Sequence, residues 1–214
     1  VPDDADEFVA ATWNSLNQQI IDDKGEQISE IANNSEVGLF IEQNTEDYGS
    51  YYSAGKRPKK GLMEQTGQDY KKVGTIEFNP DIGFTNVFYD EETGEYKIYI
   101  DDPSTNSSPA DVLDHEVGHS FHDLIDGTYY SDIDEKSSNQ KATKIPNKEE
   151  EDNISERDNS TTETRNTQIS LPYEASGVND KSGDKELRGE TEIKLTGLKN
   201  KVKIVRGENA PKSQ

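Results

Sequence analysis

The chain has no cysteine. That one absence removes disulfides, cysteine-containing zinc sites and thiol nucleophiles together. It fits a protein that crosses compartments or unfolds during export. Apolar residues are scarce at 29%, against 31% charged, so the core must be small and loops plentiful. Basic residues are outnumbered, 23 Lys and Arg against 44 Asp and Glu, for a formal charge of −21. That balance argues against nucleic acid and anionic membrane as partners, since both are negative; a basic protein segment would be drawn in. No apolar run approaches the ~20 residues needed to span a bilayer. The chain opens on Val1 without a secretory apolar stretch, which reads as an excised or processed segment. A length of 214 residues allows one ordinary domain with appendages.

Histidine is also rare, and its placement is the most informative feature present. All three lie in Asp114-His115-Glu116-Val117-Gly118-His119-Ser120-Phe121-His122-Asp123. From His115 this spells His-Glu-x-x-His, a spacing that chance supplies in roughly a few chains per thousand of such composition. On a helix, residues four apart stack on one face, so His115 and His119 can offer two imidazoles to one tetrahedral zinc ion. Glu116 is rotated by about 100° and can reach a metal-bound water as its base without ligating the metal. The bland alternative is a structural helix whose histidines face solvent.

The helix is marked independently of the motif. Ser108 is a capping residue, Pro109 fits the first helical position and Asp111 suits the positive end of the dipole. Val112, Leu113, Val117, Phe121, Leu124 and Ile125 recur at three- and four-residue spacing, and Gly127 is a natural stop. The expected helix runs from about Pro109 to Asp126.

Elsewhere, Phe8, Thr12, Leu16 and Ile20 lie four apart with Val9 and Trp13 on the adjoining row, predicting a first amphipathic helix capped by Asp3 or Asp4. Val37-Leu39-Ile41, Val73–Phe78 and Tyr96–Ile100 have strand patterning. Asn79–Gly83 and Glu91–Gly94 are turn chemistry, and Tyr48–Tyr70 reads as a long polar surface loop. A small sheet followed by an active-site helix is the usual layout of zinc peptidases, where an edge strand can hold an extended substrate. From Ser131 to Ser170 large apolar residues nearly vanish, a composition typical of linkers. Past Gly183, Ile193-Lys194-Leu195 and Val202-Lys203-Ile204 alternate around a turn like a terminal hairpin. The expected division is a catalytic domain over 1–175 and a polar C-terminal tail, with hairpin patterning, over 176–214.

Catalytic zinc normally takes three protein ligands and keeps a fourth position for water. His122 lies about 10 Å along the helix axis from His115, too far to join them, and is expected in a supporting or surface position. Gly at position 122 and His at position 125 would be needed for a metzincin; the chain has His122 and Ile125. The third ligand is therefore expected from Pro146–Arg157, whose Ile154 should mark an inward face. Glu150 and Glu151, four and three residues earlier, share that face, with Glu151 the first choice and Glu150 the second; Glu156 is about 200° away.

The motif and its surroundings resemble the bacterial effector zinc endopeptidases of the NleD-like family and the similar toxin domains that end Rhs-repeat polymorphic toxins. The likeness starts at Thr75-Ile76-Glu77-Phe78-Asn79-Pro80, runs through Asp114–Asp123, and resumes at Glu150-Glu151, Asp158-Asn159, Arg165 and Leu171-Pro172. Members typically read Glu-Asn where this chain has Asp158-Asn159, and Tyr173-Glu174-Ala175-Ser176 replaces the expected Arg and Tyr after Leu-Pro.

The resemblance implies an α+β, loop-rich, gluzincin-like domain: a short antiparallel sheet, the zinc helix, and a second helix supplying a Glu ligand. It implies a Zn²⁺-dependent endopeptidase that acts on a protein in a target cell. Such a protein is secreted or translocated, by way of a delivery apparatus, and is matched by a cognate immunity protein. His115, His119 and Glu151 would hold the metal and Glu116 would be the catalytic base; Tyr173 and Arg165 are positional candidates for oxyanion stabilisation. Two rival readings share much of this evidence: a non-catalytic acidic module binding metal or protein, and a zinc hydrolase acting on a non-peptide amide.

Overall fold

The computed structural model describes residues 6–45, 49–58, 69–129, 153, 168–175, 185–187 and 202–211. Among these the chain is α+β, with three α-helices and three small sheets.

Helix α1 spans Glu7–Ile21 and is capped by Asp6, whose carboxylate accepts the Val9 N–H at 2.8 Å. Asp3 and Asp4, the expected caps, lie outside the described residues; Asp6 does the work because its side chain stands three residues before a free N–H of the first turn. Helix α2 covers Glu26–Asn33. Strands β1 (Val37–Gln43), β2 (Tyr51–Ala54) and β3 (Lys72–Phe78) form one sheet in the order β1-β3-β2. Strand β2 corrects the expectation of an unbroken loop over Tyr48–Tyr70. Its four residues carry too short an alternation to separate from polar loop sequence, and pairing with β3 defines it.

Strands β4 (Ile82–Asn86), β5 (Phe88–Asp90) and β6 (Glu95–Tyr99) follow. The β5–β6 turn closes with Gly94 N–H on Asp90 O at 2.8 Å and Gly94 at φ 69°, a conformation that favours glycine. Short β7 (Asn106–Ser107) pairs with β4, which on its other side pairs with β8 (Gln168–Ala175); β8 in turn pairs with β9 (Lys185–Leu187). Strand β10 (Val202–Val205) pairs with β6. Ile193–Leu195, the other half of the expected hairpin, lie outside the described residues.

The sheets are not purely antiparallel as expected. The β1/β3 and β10/β6 pairs are parallel. Each joins strands separated by a long stretch of chain, the condition parallel pairing requires, and pairing partners at that range leave no local trace in a sequence.

Helix α3 spans Pro109–Phe121 and is the hub of the molecule. Its start is as the sequence predicts: Ser108 Oγ accepts from Asp111 N–H, Asp111 Oδ2 accepts from Ser108 N–H at 2.8 Å, and Pro109 occupies the first turn. A π-type turn over His122–Asp126 extends it to Gly127, which stops it in the left-handed region at φ 75°. Leu113 and Val117 are fully buried against Ile76, Phe78 and Tyr52, with Phe8, Leu16 and Ile28 packing at the margin. Burying side chains of this size contributes about 1.5–3 kcal/mol each. The α3 helix thereby touches α1, α2, β2, β3 and β4, and its motif is held in place from several sides.

Candidate metal and catalytic site

His115 and His119 lie one turn apart on α3, with ring centroids 4.5 Å apart and planes at 88°. His115 is 3% exposed and His119 half-buried, so the reading of solvent-facing histidines fails. Glu116, the residue between, is buried and accepts the backbone N–H of Tyr52 at its Oε2, 2.7 Å away. An anion accepting from a backbone N–H makes a charge-assisted bond, shorter and stronger than a neutral one.

The flanking groups are equally constrained. Asp114 is 2% exposed with Lys24 Nζ 3.7 Å from its Oδ2. Tyr129 stands edge-on to both His119 (6.0 Å) and Tyr52 (5.7 Å), closing one side of the site. His122 is buried rather than at the surface; it begins the π-type turn, and its carbonyl accepts the Thr128 and Tyr129 N–H groups. It lies seven residues, about 10 Å of helical rise, beyond His115.

The downstream acidic segment contributes one described residue, Asn153, which is fully buried. Its Nδ2 donates to the carbonyl of His115 at 3.0 Å and lies 3.2 and 3.5 Å from that residue's ring nitrogens. Near-equal distances to both nitrogens put the amide off the line of either lone pair, so the carbonyl bond is the one that anchors it. Among the described residues, Asn153 Oδ1 is buried with no hydrogen-bond partner, a polar atom beside the motif. Glu150, Glu151, Glu156 and Arg165 lie outside the described residues. Tyr173 is in β8, in register with Leu187 of β9.

A pair of imidazoles sharing a tetrahedral zinc ion has ring centroids about 5 Å apart, given zinc–nitrogen bonds of about 2.1 Å. The observed 4.5 Å is somewhat shorter, so the rings would spread by under about 1 Å to share the ion; two imidazoles with no thiol or excess carboxylate form a donor set suited to zinc. Among the described residues no group of three His, Cys, Asp or Glu side chains is placed to hold a metal ion; the motif pair needs a further ligand.

Tyr52, Asp123 and Asn153 are the site residues that sequence reasoning passed over. Asp123 had a usable signal, since seven residues after Glu116 is the same helical face two turns on. Tyr52 had none, because its strand was not recognised. Scanned against protein families, curated proteins and solved structures, the chain matches none. Among the described residues no helix is long and apolar enough to cross a membrane.

Proposed function

We propose that the chain is a zinc-dependent endopeptidase with a gluzincin-like fold, hydrolysing peptide bonds in a target-cell protein as a secreted or translocated effector or toxin domain. The single observation that carries the enzymatic reading is the pair of perpendicular imidazoles, His115 and His119, on a core-packed helix beside a carboxylate with a fixed orientation. Delivery and target rest on the sequence resemblance alone.

His115 and His119 would hold zinc with a carboxylate from the acidic run. Glu151 is the ligand proposed from sequence. Asn153 supports that run as the source: it is the second residue after Glu151, so the two Cα atoms lie within about 7 Å, and Asn153 is anchored on His115. A helix through Asn153 would carry Glu149 and Glu150, four and three residues earlier, on the side turned to His115, so the search for the ligand spans all three glutamates. When bound, zinc supplies the Lewis acidity that makes water a competent nucleophile near neutral pH. Glu116 accepts the proton of the attacking water at its carboxylate and returns it to the leaving amine. Tyr52 N–H sets the plane in which that carboxylate works.

The test is zinc content after purification without added metal, paired with mapping of new N termini in a host-cell or bacterial lysate. Near-stoichiometric zinc, and cleavage abolished by a chelator and restored by zinc, are the expected results. Absence of zinc together with calcium-dependent stabilisation would identify a non-catalytic acidic module instead. Comparing chelator-competed zinc affinity of Glu149→Ala, Glu150→Ala and Glu151→Ala names the third ligand.

A further inference from the structure

Tyr52 touches helix α3 at two points. Its backbone N–H donates to Glu116 Oε2 at 2.7 Å, and its phenol donates to Asp123 Oδ2 at 2.5 Å. Glu116 and Asp123 are seven residues apart, about 10.5 Å of helical rise on one face, and the tyrosine lies along the helix to span them. Tyr52 is in β2, at the edge of its sheet. The Gly55 N–H bonds Val73 O, so the alternate residues Tyr51 and Ser53 also turn their backbone groups toward β3, while Tyr52 turns its own outward to α3.

Three features hold this tyrosine in place. Asp123 is fixed by the π-type turn, and its carbonyl accepts Lys72 Nζ of β3 at 3.0 Å. Across the sheet, Gly74 leaves the space the phenol needs: a Cβ there would stand 2.1 Å from Tyr52 Oη. On the open side Tyr129 packs edge-on against the ring. Packing alone would be served equally by phenylalanine; the hydroxyl adds the bond to Asp123.

We propose that Tyr52 and Asp123 are positioning residues for Glu116, the Asp123–Tyr52 hydrogen bond clamping strand β2 so that its N–H stays on the Glu116 carboxylate. The proposal rests on the endopeptidase reading only in treating Glu116 as the base; the clamp itself is a matter of geometry. Without the phenol bond the edge strand loses its second attachment, and the carboxylate gains orientations from which it cannot serve the reacting water.

The full chain tests this in two ways. In ¹⁵N-labelled protein the Tyr52 amide proton should resonate far downfield and move upfield in Glu116→Gln. It should move upfield also in Asp123→Ala, which touches neither the amide nor its acceptor, and at residue 52 in Tyr52→Phe, which keeps the amide and its acceptor. In turnover assays Tyr52→Phe and Asp123→Ala should lower kcat about tenfold, the lower end for partners that orient a working group, with KM and zinc affinity within about twofold of wild type. Asp123→Asn keeps an acceptor oxygen and should restore most of kcat. In a Glu116→Gln background Tyr52→Phe should cost nothing more. An unmoved Tyr52 amide in both clamp variants, or an undiminished loss in the Glu116→Gln background, overturns the proposal. Tyr52→Phe keeps the ring and its packing, so it remains decisive if Asp123→Ala fails to fold. If wild type neither binds zinc nor cleaves protein, the endopeptidase reading falls, while the amide shifts still decide the clamp.

Discussion

Helices α1 and α3 read much alike in sequence, each with apolar residues three and four apart, yet they sit oppositely in the molecule. On α3 nearly every side is covered, and even Asp114, His115 and Glu116 are buried. On α1 Val9, Trp13 and Ile20 are exposed, at 44%, 52% and 56%, while Ser15 and Gln19 are buried. Phe8 and Leu16 do pack inward at the edge of the core, but Ile20, placed on the same row, does not. Periodicity shows which residues share a face; it does not say which face another element will cover. A hub helix packed on several sides buries most of its residues, polar ones included, whereas a peripheral one buries whatever meets its neighbour.

The contrast predicts that the polar groups of α3 serve chemistry and those of α1 do not. Glu116→Gln should reduce turnover by at least about 100-fold with zinc content and thermal midpoint nearly unchanged. A variant that cleaves at the wild-type rate removes Glu116 as base. His115→Ala and His119→Ala should each lose zinc by metal analysis, whereas His122→Ala keeps it and is only less stable, being buried at the start of the π-type turn seven residues past His115. Metal loss from folded His122→Ala would mean that the helix brings all three rings together.

Stability should divide the helices the same way. Leu113→Ala, at a fully buried position, is expected to cost about 2–5 kcal/mol in denaturant melts. Ile20→Ala on α1 should stay within about 0.5 kcal/mol; a large loss there would show that Ile20 is covered in solution. Gln19 sharpens the comparison further, since among the described residues its amide nitrogen and oxygen are buried without a hydrogen-bond partner. Gln19→Leu should be neutral or stabilising by about 1 kcal/mol, with activity unaffected.

The smallest effect concerns acid and a region outside both helices. Asp102 accepts from Ser104 Oγ at 2.6 Å and from Ala210 N–H at 2.8 Å, tying the segment after β10 to the body. These bonds, the Ser104 side chain first, hold its carboxyl below the usual carboxylate value. A depressed folded pKa contributes stability that is fully present above the unfolded value near 3.9. That contribution is lost as pH falls through the folded one. Proteolysis of the C-terminal segment should therefore rise on acidification through that window, and Asp102→Asn should flatten the dependence. An equal rise in the variant would assign the acid sensitivity elsewhere.

Local chemistry was legible because it acts over a few residues. Ser108, Pro109, Asp111 and Gly127 mark the limits of the helical segment, and His115, Glu116 and His119 announce their chemistry by spacing alone. Strands β1, β3 and β6 are equally visible in their alternation. The capping of α1 by Asp6, the parallel pairing of β1 with β3, and strand β2 were not visible. A cap depends on which of several acids the backbone admits, pairing depends on partners far along the chain, and four residues make too short a pattern. The sequence by itself determined that two imidazoles and a carboxylate would share one helix, because helical geometry follows from spacing. Only the tertiary structure decided that Tyr52 would meet Glu116 and Asp123, and that Asn153 would meet His115. Those contacts join residues 38 to 71 positions apart, and at such range packing, not local propensity, selects the partner.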